Sequence, residues 1–254
     1  MPLKDNLVLC LELDEASGNR NDSHINNLDA TDVNTVDSNT GILYSLAARF
    51  TETNNERLVV PYDAIFTQAQ SRWSAATWVR ITGAGAGNHN LAARHDTNDA
   101  CWGWDYLNGE LRFRIATTST DTSTYAYKAS AATTGVWYHL AVVYDGNGAA
   151  NADRVKFYKD GAEISSLSFS GTIPSTLRQI CVQDLVLGRF GTLRDAHQRM
   201  QQFAMWHRVL TTTDITELWS GGAGAKYSTW TITPRPKVGA SMASRSPLLG
   251  GLVR

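Results

Sequence analysis

The sequence has few charged residues, no excess of positive charge and no long apolar run. Charged side chains make up 19% of the 254 residues, and the formal net charge is −1. A chain with so little net charge has no field that would attract nucleic acid or an anionic membrane. Its apolar runs are all much shorter than the roughly 20 residues that a membrane-spanning helix needs. The sequence therefore predicts neither a nucleic-acid partner nor a membrane partner.

Cysteine is also scarce, and no targeting segment is visible. Cys10, Cys101 and Cys181 are far apart, form no CxxC pair and have no histidine at the spacing of a zinc site. We therefore expect reduced thiols buried on strands, with no disulfide. The stretch from Met1 to Asn6 lacks the basic and apolar regions of a secretory signal, so the sequence predicts no signal-directed export.

The residues that are abundant are typical of β-structure. Hydrophobic residues make up 43% of the chain, and eight Trp and nine Tyr are spread along it. Leu7 to Leu13 alternates leucine with other residues, which predicts a strand with four leucines on one face. Trp137 to Tyr144 is apolar on both faces, as expected for a central strand of a sandwich. Asn19 to Thr40 is rich in Asn and Asp and predicts a long loop.

Two hairpins and one helix have clear local signals. Asn108-Gly109 and Asp160-Gly161 tolerate positive φ at both central positions, so each predicts a two-residue hairpin turn. Thr211 and Asp214 resemble a capping box in front of an apolar stripe, which predicts a short helix that packs on a sheet. Gly221-Gly222 would end that helix.

The composition changes near the C-terminus. From Thr231 onward the chain has three prolines, four cationic residues and no acidic residue. Such a segment cannot form a core of its own, so we divide the chain into a sandwich domain, residues 1–228, and an extended arm, residues 229–254. We expect the arm to anchor the domain on a partner chain. The residues predicted to make that contact are Arg235, Lys237, Arg245, Leu248, Leu249 and Leu252.

Six segments between Leu7 and Gly222 follow the order of a known domain family. Gly135 to Gly146 (GVWYHLAVVYDG) is nearly identical to the pattern gqWhhvavtyDg of that family. The chain thereby resembles the laminin-G-like branch of the concanavalin A-like lectin/glucanase superfamily. The resemblance implies an all-β fold, a two-sheet antiparallel jelly-roll sandwich with one short C-terminal helix. The other five segments are Leu9 to Gly18, Ser74 to Arg80, Val155 to Gly161, Leu185 to Arg189 and Met200 to Trp219.

The resemblance also implies a place where calcium could bind. In related domains an Asp-Glu pair often lies near a calcium site, and Gln201-Gln202 stands at that position here. Calcium takes roughly six to eight oxygen ligands and gains affinity from charged ones. We therefore expect no cofactor, and a calcium site built from amide oxygens is the alternative.

Catalytic patterns are incomplete. Glycoside hydrolases of this fold need two suitably spaced carboxylates. Glu12 and Asp14 alternate on the predicted first strand, but Ala16 and Ser17 stand where a third acid would complete the pattern. His139 lies on the predicted central strand, where the family itself has histidine, which favours a packed side chain. The sequence therefore predicts a protein that is not an enzyme.

One cluster has the composition of a sugar-binding site. Aromatic rings that stack on a sugar, beside Asp and Arg side chains that bind its hydroxyls, are a common arrangement. The alternative is that Trp102 and Trp104 point inward together and fill the core. The candidate glycan-binding residues are Arg94, His95, Asp96, Trp102, Trp104, Asp105 and Tyr106.

A lectin-like sandwich, a missing secretion signal and a terminal arm together suggest a virion component. Phage proteins leave the cell by lysis and need no signal, so we predict a non-enzymatic capsid decoration or tail-associated protein. It would form a homo-oligomer, bind other virion proteins through the arm and contact host or environmental glycans. The alternatives are a bacterial glycan-binding lectin module, outside the cell or on its surface, and a degenerate glycoside hydrolase.

Overall fold

The fold is a sandwich of two antiparallel sheets with eight strands each. The computed structural model describes residues 1–51, 54–67, 71–83, 88–96, 99–116, 123–178, 181–190, 194–195 and 197–233. The strands are β1 (Leu7–Leu11), β2 (Thr31–Val33), β3 (Asp37–Thr40), β4 (Leu46–Phe50), β5 (Arg57–Val60), β6 (Arg72–Ile81), β7 (Asn88–Asp96), β8 (Asp99–Leu107), β9 (Glu110–Ala116), β10 (Ser123–Ala129), β11 (Trp137–Asp145), β12 (Val155–Lys159), β13 (Ala162–Glu163), β14 (Ser168–Ser170), β15 (Leu185–Leu187), β16 (Arg189–Phe190), β17 (Arg194–Asp195) and β18 (Gln198–Trp206). The α-helices are α1 (Asn151–Arg154) and α2 (Thr212–Trp219), and short 3-10 helices cover Ala64–Thr67, Ser220–Gly222 and Tyr227–Thr229.

The strand order confirms the predicted sandwich. The first sheet has the order β13-β12-β11-β6-β18-β4-β3, and β1 also pairs with β18. The second sheet has the order β14-β10-β9-β8-β7-β15-β5-β2. β11 lies between β12 and β6, so its position as a central strand is confirmed. β16 and β17 form a separate hairpin that contacts β7.

Aromatic residues from both sheets fill the main core. Trp73 of β6 lies 4.7 Å from Trp102 of β8 between ring centroids and stacks on Phe113 of β9 at 5.3 Å. Each of the three side chains is almost completely buried. Truncation of one such ring to alanine typically costs about 3–5 kcal/mol of stability, so this cluster contributes strongly to sheet packing.

Both predicted hairpin turns are confirmed. Asn108 and Gly109 have φ values of 52° and 83°, and they join β8 to β9 with Leu107 opposite Glu110. Asp160 and Gly161 have φ values of 51° and 80° between β12 and β13. Because both central residues are left-handed, each turn matches the twist of its strands and sets their register.

The first strand differs from its prediction at both ends. A register shift between Leu7 and Leu9 puts Leu7 with Cys10 on the outer side of the sheet, while Leu9 and Leu11 face the main core. The strand ends at Leu11, and Leu13 has a left-handed φ of 59°. A β-bulge interrupts the alternation of faces. The prediction of four leucines on one face was therefore wrong.

The predicted long loop, Asn19 to Thr40, contains the short strands β2 and β3. Its irregular part is organised by the buried carboxylate of Asp22. That carboxylate accepts hydrogen bonds from the backbone N–H groups of Cys10 at 2.8 Å, His24 at 2.9 Å and Leu28 at 3.0 Å. Asp and Asn favour loops because they bind backbone groups, and here the same property builds an ordered segment.

A helix and an apolar cluster cover the outer face of the first sheet. Thr211 and Asp214 form the predicted capping box, with the N–H of Thr211 donating to Asp214 Oδ2 at 2.8 Å. Ile215 and Leu218 of α2 pack in one cluster with Trp206 of β18. None of the helices in the described part of the chain is long and apolar enough to span a membrane.

The packed part of the chain extends to Thr233, past the predicted start of the arm. Trp230 is 4% exposed, and its ring centroid lies 5.7 Å from that of Trp206. The N–H of Thr233 donates to the Asp5 carboxylate at 2.9 Å. Trp230 therefore packs on the sandwich, and hydrogen bonds connect the exposed Thr231 and Thr233 to Lys4 and Asp5. The predicted anchoring role stays a prediction because its residues lie outside the described ones, namely Arg235, Lys237, Arg245, Leu248, Leu249 and Leu252.

Cys101 and Cys181 form a disulfide, which corrects the expectation of three reduced thiols. Their Cα atoms are 6.0 Å apart, although 80 residues separate them in the sequence. The fold alone brings β8 and the segment before β15 together, so spacing could not reveal the pair. In the chain-entropy model a loop of this length stabilises the folded state by roughly 4 kcal/mol. Cys10 is free, and burial raises the pKa of its thiol well above its usual value.

Truncation at two nearby positions tests where the folded unit ends. We expect a chain that ends at Thr229 to lose about 3–5 kcal/mol of unfolding free energy, because it lacks the buried Trp230 ring. A chain that ends at Thr233 keeps this ring and should lose at least about 2 kcal/mol less than the chain that ends at Thr229. Urea denaturation measures both values, and equal stability of the two truncations would contradict the boundary at Thr233.

Two buried histidines should make stability depend on pH. Burial lowers the pKa of His139 to about 3 and, together with the charge of His197, lowers that of His89 to about 4. The folded state therefore binds fewer protons than the unfolded state, whose histidines titrate near 6.5. Stability should be complete above about pH 6.5 and decrease as the pH falls, by roughly 2 kcal/mol per histidine between pH 6.5 and 5.

The variant His139→Leu removes one of these titrating groups. Its unfolding free energy should change less between pH 7 and pH 5 than that of the parent chain, by about 2 kcal/mol. Chemical denaturation at both pH values measures this difference, and it does not depend on the absolute stability of the variant. An unchanged pH dependence would show that His139 titrates normally in the folded protein.

Candidate ligand-binding site

The alternation of β8 separates the predicted glycan-binding residues. Trp102, Trp104 and Tyr106 point into the core between the sheets and are at most 6% exposed. Their rings cannot stack on a ligand in this arrangement, so the core-packing alternative describes them. Asp105 lies between them in sequence and points to the outer face of the second sheet.

Arg94 and His95 lie at the end of β7, away from Asp105. The buried Arg94 guanidinium donates to three backbone carbonyls, including those of Phe66 at 3.0 Å and Cys181 at 2.7 Å. It thereby ties the segment before β15 to the 3-10 helix Ala64–Thr67. His95 is half-buried, and the side chain of Asp96 lies outside the described residues.

Asp105 binds two arginines of the next strand. The hairpin turn sets the register in which Asp105 lies opposite Arg112, and Arg114 follows on the same face. Arg112 Nε donates to Asp105 Oδ1 at 2.9 Å, and Arg114 Nε lies 3.1 Å from Oδ2. The carboxylate is only 1% exposed. One buried carboxylate therefore orients two guanidinium groups.

β10 adds two tyrosines to this face. Tyr125 lies opposite Arg114 and Tyr127 opposite Arg112, while Ala126 between them is buried. The two rings are half-buried, and their centroids are 5.6 Å apart. The Arg114 guanidinium lies 6.0 Å from the centroid of Tyr125. We call Asp105, Arg112, Arg114, Tyr125 and Tyr127 the Asp105 cluster.

The described side chains of this face are balanced in charge. Glu110 lies two residues before Arg112 on β9, so it shares that face, and two carboxylates accompany two guanidinium groups. Arg112 Nη2 is a buried atom without a hydrogen-bond partner among the residues that the structure describes. A charge-balanced surface with partly exposed aromatic rings suits a neutral, hydroxyl-rich ligand.

Sequence reasoning identified Asp105 but missed the four other members of the cluster. A signal for two of them was present, because the Asn108-Gly109 turn sets the register and alternation then puts Arg112 and Arg114 beside Asp105. The tyrosines had no such signal, since the sequence between β9 and β10 contains no recognisable turn motif. Their place depends on the pairing of those strands.

The position at which a calcium site was the alternative has a structural role instead. Gln201 is completely buried, and its Oε1 accepts from the N–H groups of Ile42 at 3.0 Å and Leu43 at 2.7 Å. Its Nε2 donates to the carbonyls of Tyr44, at 3.2 Å, and Leu46. An amide can both accept and donate, whereas a carboxylate can only accept. The side chain therefore holds the loop between β3 and β4.

The residues present do not fit a calcium ion. Gln202 has a left-handed φ of 52° within a register shift of β18, and its Nε2 donates to the carbonyl of Ala225 at 2.9 Å. No group of three acidic, His or Cys side chains converges within the described ranges of the chain. The amide oxygen of Gln201 is already bound to two backbone N–H groups, so it is not available as a ligand.

Charge introduced at Gln201 tests this role. We expect Gln201→Glu to lose about 2–4 kcal/mol of unfolding free energy, because a buried carboxylate cannot donate to the two loop carbonyls. Gln202→Glu is the matched control and should lose about 1 kcal/mol, for one hydrogen bond. Thermal unfolding with and without calcium measures both variants. A calcium-dependent rise in the Tm of Gln201→Glu would indicate a metal site there.

The carboxylates considered for hydrolysis lie apart from the Asp105 cluster. Glu12 follows β1 in the first sheet, and its Oε1 accepts from Ser23 Oγ at 2.9 Å. Partial burial raises the pKa of Asp14, and the negative charge of Glu12 adds to this effect. The left-handed Leu13 between the two acids breaks the strand alternation on which a paired face would depend.

Comparison with known proteins supports a lectin-like domain. The family profile described as the concanavalin A-like lectin/glucanases superfamily matches residues 52–216. No curated protein matches the sequence. The profile begins just after β4 and ends within α2, so it includes β8, β9 and β10 and with them the whole Asp105 cluster.

Solved structures of similar fold belong to larger proteins. The botulinum neurotoxin serotype D binding domain has a TM-score of 0.64 at 14% identity, over 85% of this chain and 52% of that chain. The binding domain of botulinum neurotoxin DC in complex with SialylT gives 0.65 at 12%, over 85% and 51%. Trypanosoma rangeli sialidase in complex with sialic acid gives 0.60 at 16%, over 88% and 34%. The chain spans about half the length of the first two, and such identities show the fold alone.

Proposed function

This chain belongs to the concanavalin A-like lectin/glucanase superfamily, and we propose that it is a non-catalytic recognition domain that binds a neutral glycan at the Asp105 cluster. The observation that carries the proposal is the pair of half-exposed rings, Tyr125 and Tyr127, on the same face as two arginines oriented by Asp105. Rings and planar donors on one face are the groups that a sugar requires.

The geometry suggests how a sugar would bind. One face of a pyranose ring is made of C–H groups and would stack on a tyrosine, while its hydroxyl groups would accept hydrogen bonds from Arg112. Because the Asp105 carboxylate already holds both guanidinium groups, they lose little conformational freedom when a ligand binds. Such pre-organisation favours affinity without any new contact.

The same arrangement supports a binding role over hydrolysis. A retaining or inverting glycosidase needs two carboxyl groups, one of which gives a proton to the leaving oxygen. Both oxygens of the buried Asp105 carboxylate contact a guanidinium group, so neither oxygen is free to reach the leaving oxygen of a bound sugar. Asp105 therefore cannot act as the proton donor. We expect no release of sugar from β-glucans by the purified protein.

The phage-virion role, as a capsid decoration or tail-associated protein, stays a prediction. One feature supports an outward-facing domain in such a particle. Leu3, near the N-terminus, and Trp230, near the end of the described residues, pack on the outer face of the first sheet, whereas the Asp105 cluster lies on the second sheet. A domain attached through these two segments would present the cluster outward. Electron microscopy of source particles labelled with a specific antibody tests this role.

Removal of either tyrosine should weaken glycan binding. We expect Tyr125→Ala and Tyr127→Ala each to lower the affinity for a glycan selected on an array by about tenfold, the equivalent of roughly 1.4 kcal/mol of stacking. Calorimetric titration measures the affinity. Tyr62→Ala is the matched control, because Tyr62 is 39% exposed but lies outside the cluster.

A second variant distinguishes hydrogen bonding from charge. Arg112→Lys keeps the positive charge but loses the planar donors, so it should also lower the affinity by about tenfold. Binding that survives these changes but disappears in Tyr62→Ala would place the site elsewhere. An array without any bound glycan would refute the proposal.

A further inference from the structure

A groove lies on the outer face of the first sheet, on the side opposite the Asp105 cluster. Its volume is about 380 Å³, and its floor includes the side chains of Val143, Val209 and Leu210. Asp145 and Asp153 lie at its rim, and the exposed Thr212 at the start of α2 closes one end. Lys156 and Tyr158 also line the groove, so its lining combines apolar side chains with two acidic side chains and one basic side chain.

The charges around the groove leave it slightly negative. Arg72 lies 3.8 Å from Asp145, and Lys156 lies 3.3 Å from Glu163. The Asp153 carboxylate accepts one hydrogen bond, from the N–H of Ala150 at 3.1 Å. Three acidic and two basic side chains therefore meet here among the described residues. Asp153 has no cation paired with it among the described ion pairs, so an additional positive charge would be favourable there.

The described chain ends on the same outer face of the first sheet as this groove, since Trp230 belongs to the apolar cluster that includes Val143 and Leu210. Thr233 is hydrogen-bonded to the Asp5 carboxylate, and the Asp5 carbonyl accepts from Arg208 Nε at 3.0 Å. Arg208 directly precedes Val209 and Leu210, which line the groove. The next five residues can extend at most about 17 Å from Thr233.

The composition of those five residues complements the groove. They read Pro-Arg-Pro-Lys-Val, with Arg235 and Lys237 two positions apart. In an extended conformation such residues share one face, so both cations can approach the acidic rim together. Val238 can then bury its side chain on the apolar floor, and the two prolines reduce the conformational freedom lost on docking.

We propose that residues 234–238 dock in the groove of their own chain, with Arg235 and Lys237 near Asp145 and Asp153. Docking in this way would leave residues 239–254 as the part of the C-terminal segment that can reach a partner. It would also fix the direction in which that segment leaves the sandwich. This proposal is independent of glycan binding, because it concerns the opposite sheet.

Cysteine cross-linking in the full chain tests the docking. The pair Thr212→Cys and Val238→Cys should form a disulfide within one chain at least tenfold faster than the control pair Ser168→Cys and Val238→Cys. Ser168 is equally exposed but lies on β14 of the second sheet. Peptide mapping identifies the linked residues, and the rate should not depend on protein concentration.

Charge reversal supplies a second readout. Arg235→Glu with Lys237→Glu should slow the Thr212–Val238 cross-link about tenfold, because the new carboxylates would be repelled by Asp145 and Asp153. Added salt should slow it as well, since exposed charges are screened. Equal rates for the test and control pairs would overturn the proposal. Disulfide-linked dimers in place of linked monomers would also overturn it, because they would show that the segment of a second copy occupies the groove.

Discussion

The contact between the aromatic side chains of the two sheets is the constraint on which the rest of the structure depends. Trp73 of one sheet meets Trp102 and Phe113 of the other, so these residues must face inward. Strand alternation then forces Asp105 and Arg112 outward on β8 and β9. The candidate ligand-binding surface is therefore a direct consequence of core packing, and a one-residue slip of either strand would bury the charges in the core.

The outer faces of the two sheets are used differently. The first sheet carries an apolar outer face, which α2 and both terminal segments cover. Arg208 connects α2 to the N-terminal segment. Two of its N–H groups donate to the Asp214 carboxylate at 2.8 and 3.1 Å, and its Nε donates to the carbonyl of Asp5 at 3.0 Å. Trp206 Nε1 also donates to the carbonyl of Leu3 at 2.6 Å. These segments cover much of the outer face of the first sheet, whereas the Asp105 cluster lies on the outer face of the second sheet.

Local signals in the sequence predicted local structure well. The turn at Asn108-Gly109 and the capping box of Thr211 each depend on residues within four positions of one another. Both features can therefore be predicted without knowledge of the fold. The Cys101–Cys181 disulfide and the hydrogen bonds of Gln201 connect residues 80 or more positions apart. No spacing rule reaches that far. The bulge at Leu7 affects only a few neighbouring residues, but its position depends on how β1 pairs with the distant strand β18.

The same distinction explains the outcome for the candidate site. Composition drew attention to β8, where aromatic residues alternate with Asp105, but composition cannot tell which face is inward. Trp102 packs against aromatic residues of β6 and β9, and this contact determines which face of β8 points inward. The tyrosines of β10 belong to the cluster only because β10 pairs with β9. A sequence can therefore indicate the strand that carries a site before it indicates the face.

Energetics favour a recognition role for the Asp105 cluster over a structural one. Burial of a carboxylate with two guanidinium groups removes charges from water, and their mutual attraction does little more than offset that loss. Apolar side chains of similar volume would often stabilise such a position equally well or better. Planar donors held in fixed orientation beside two aromatic rings would lower the free energy of binding a hydroxyl-rich ligand. This energetic argument supports the proposed recognition role of the cluster.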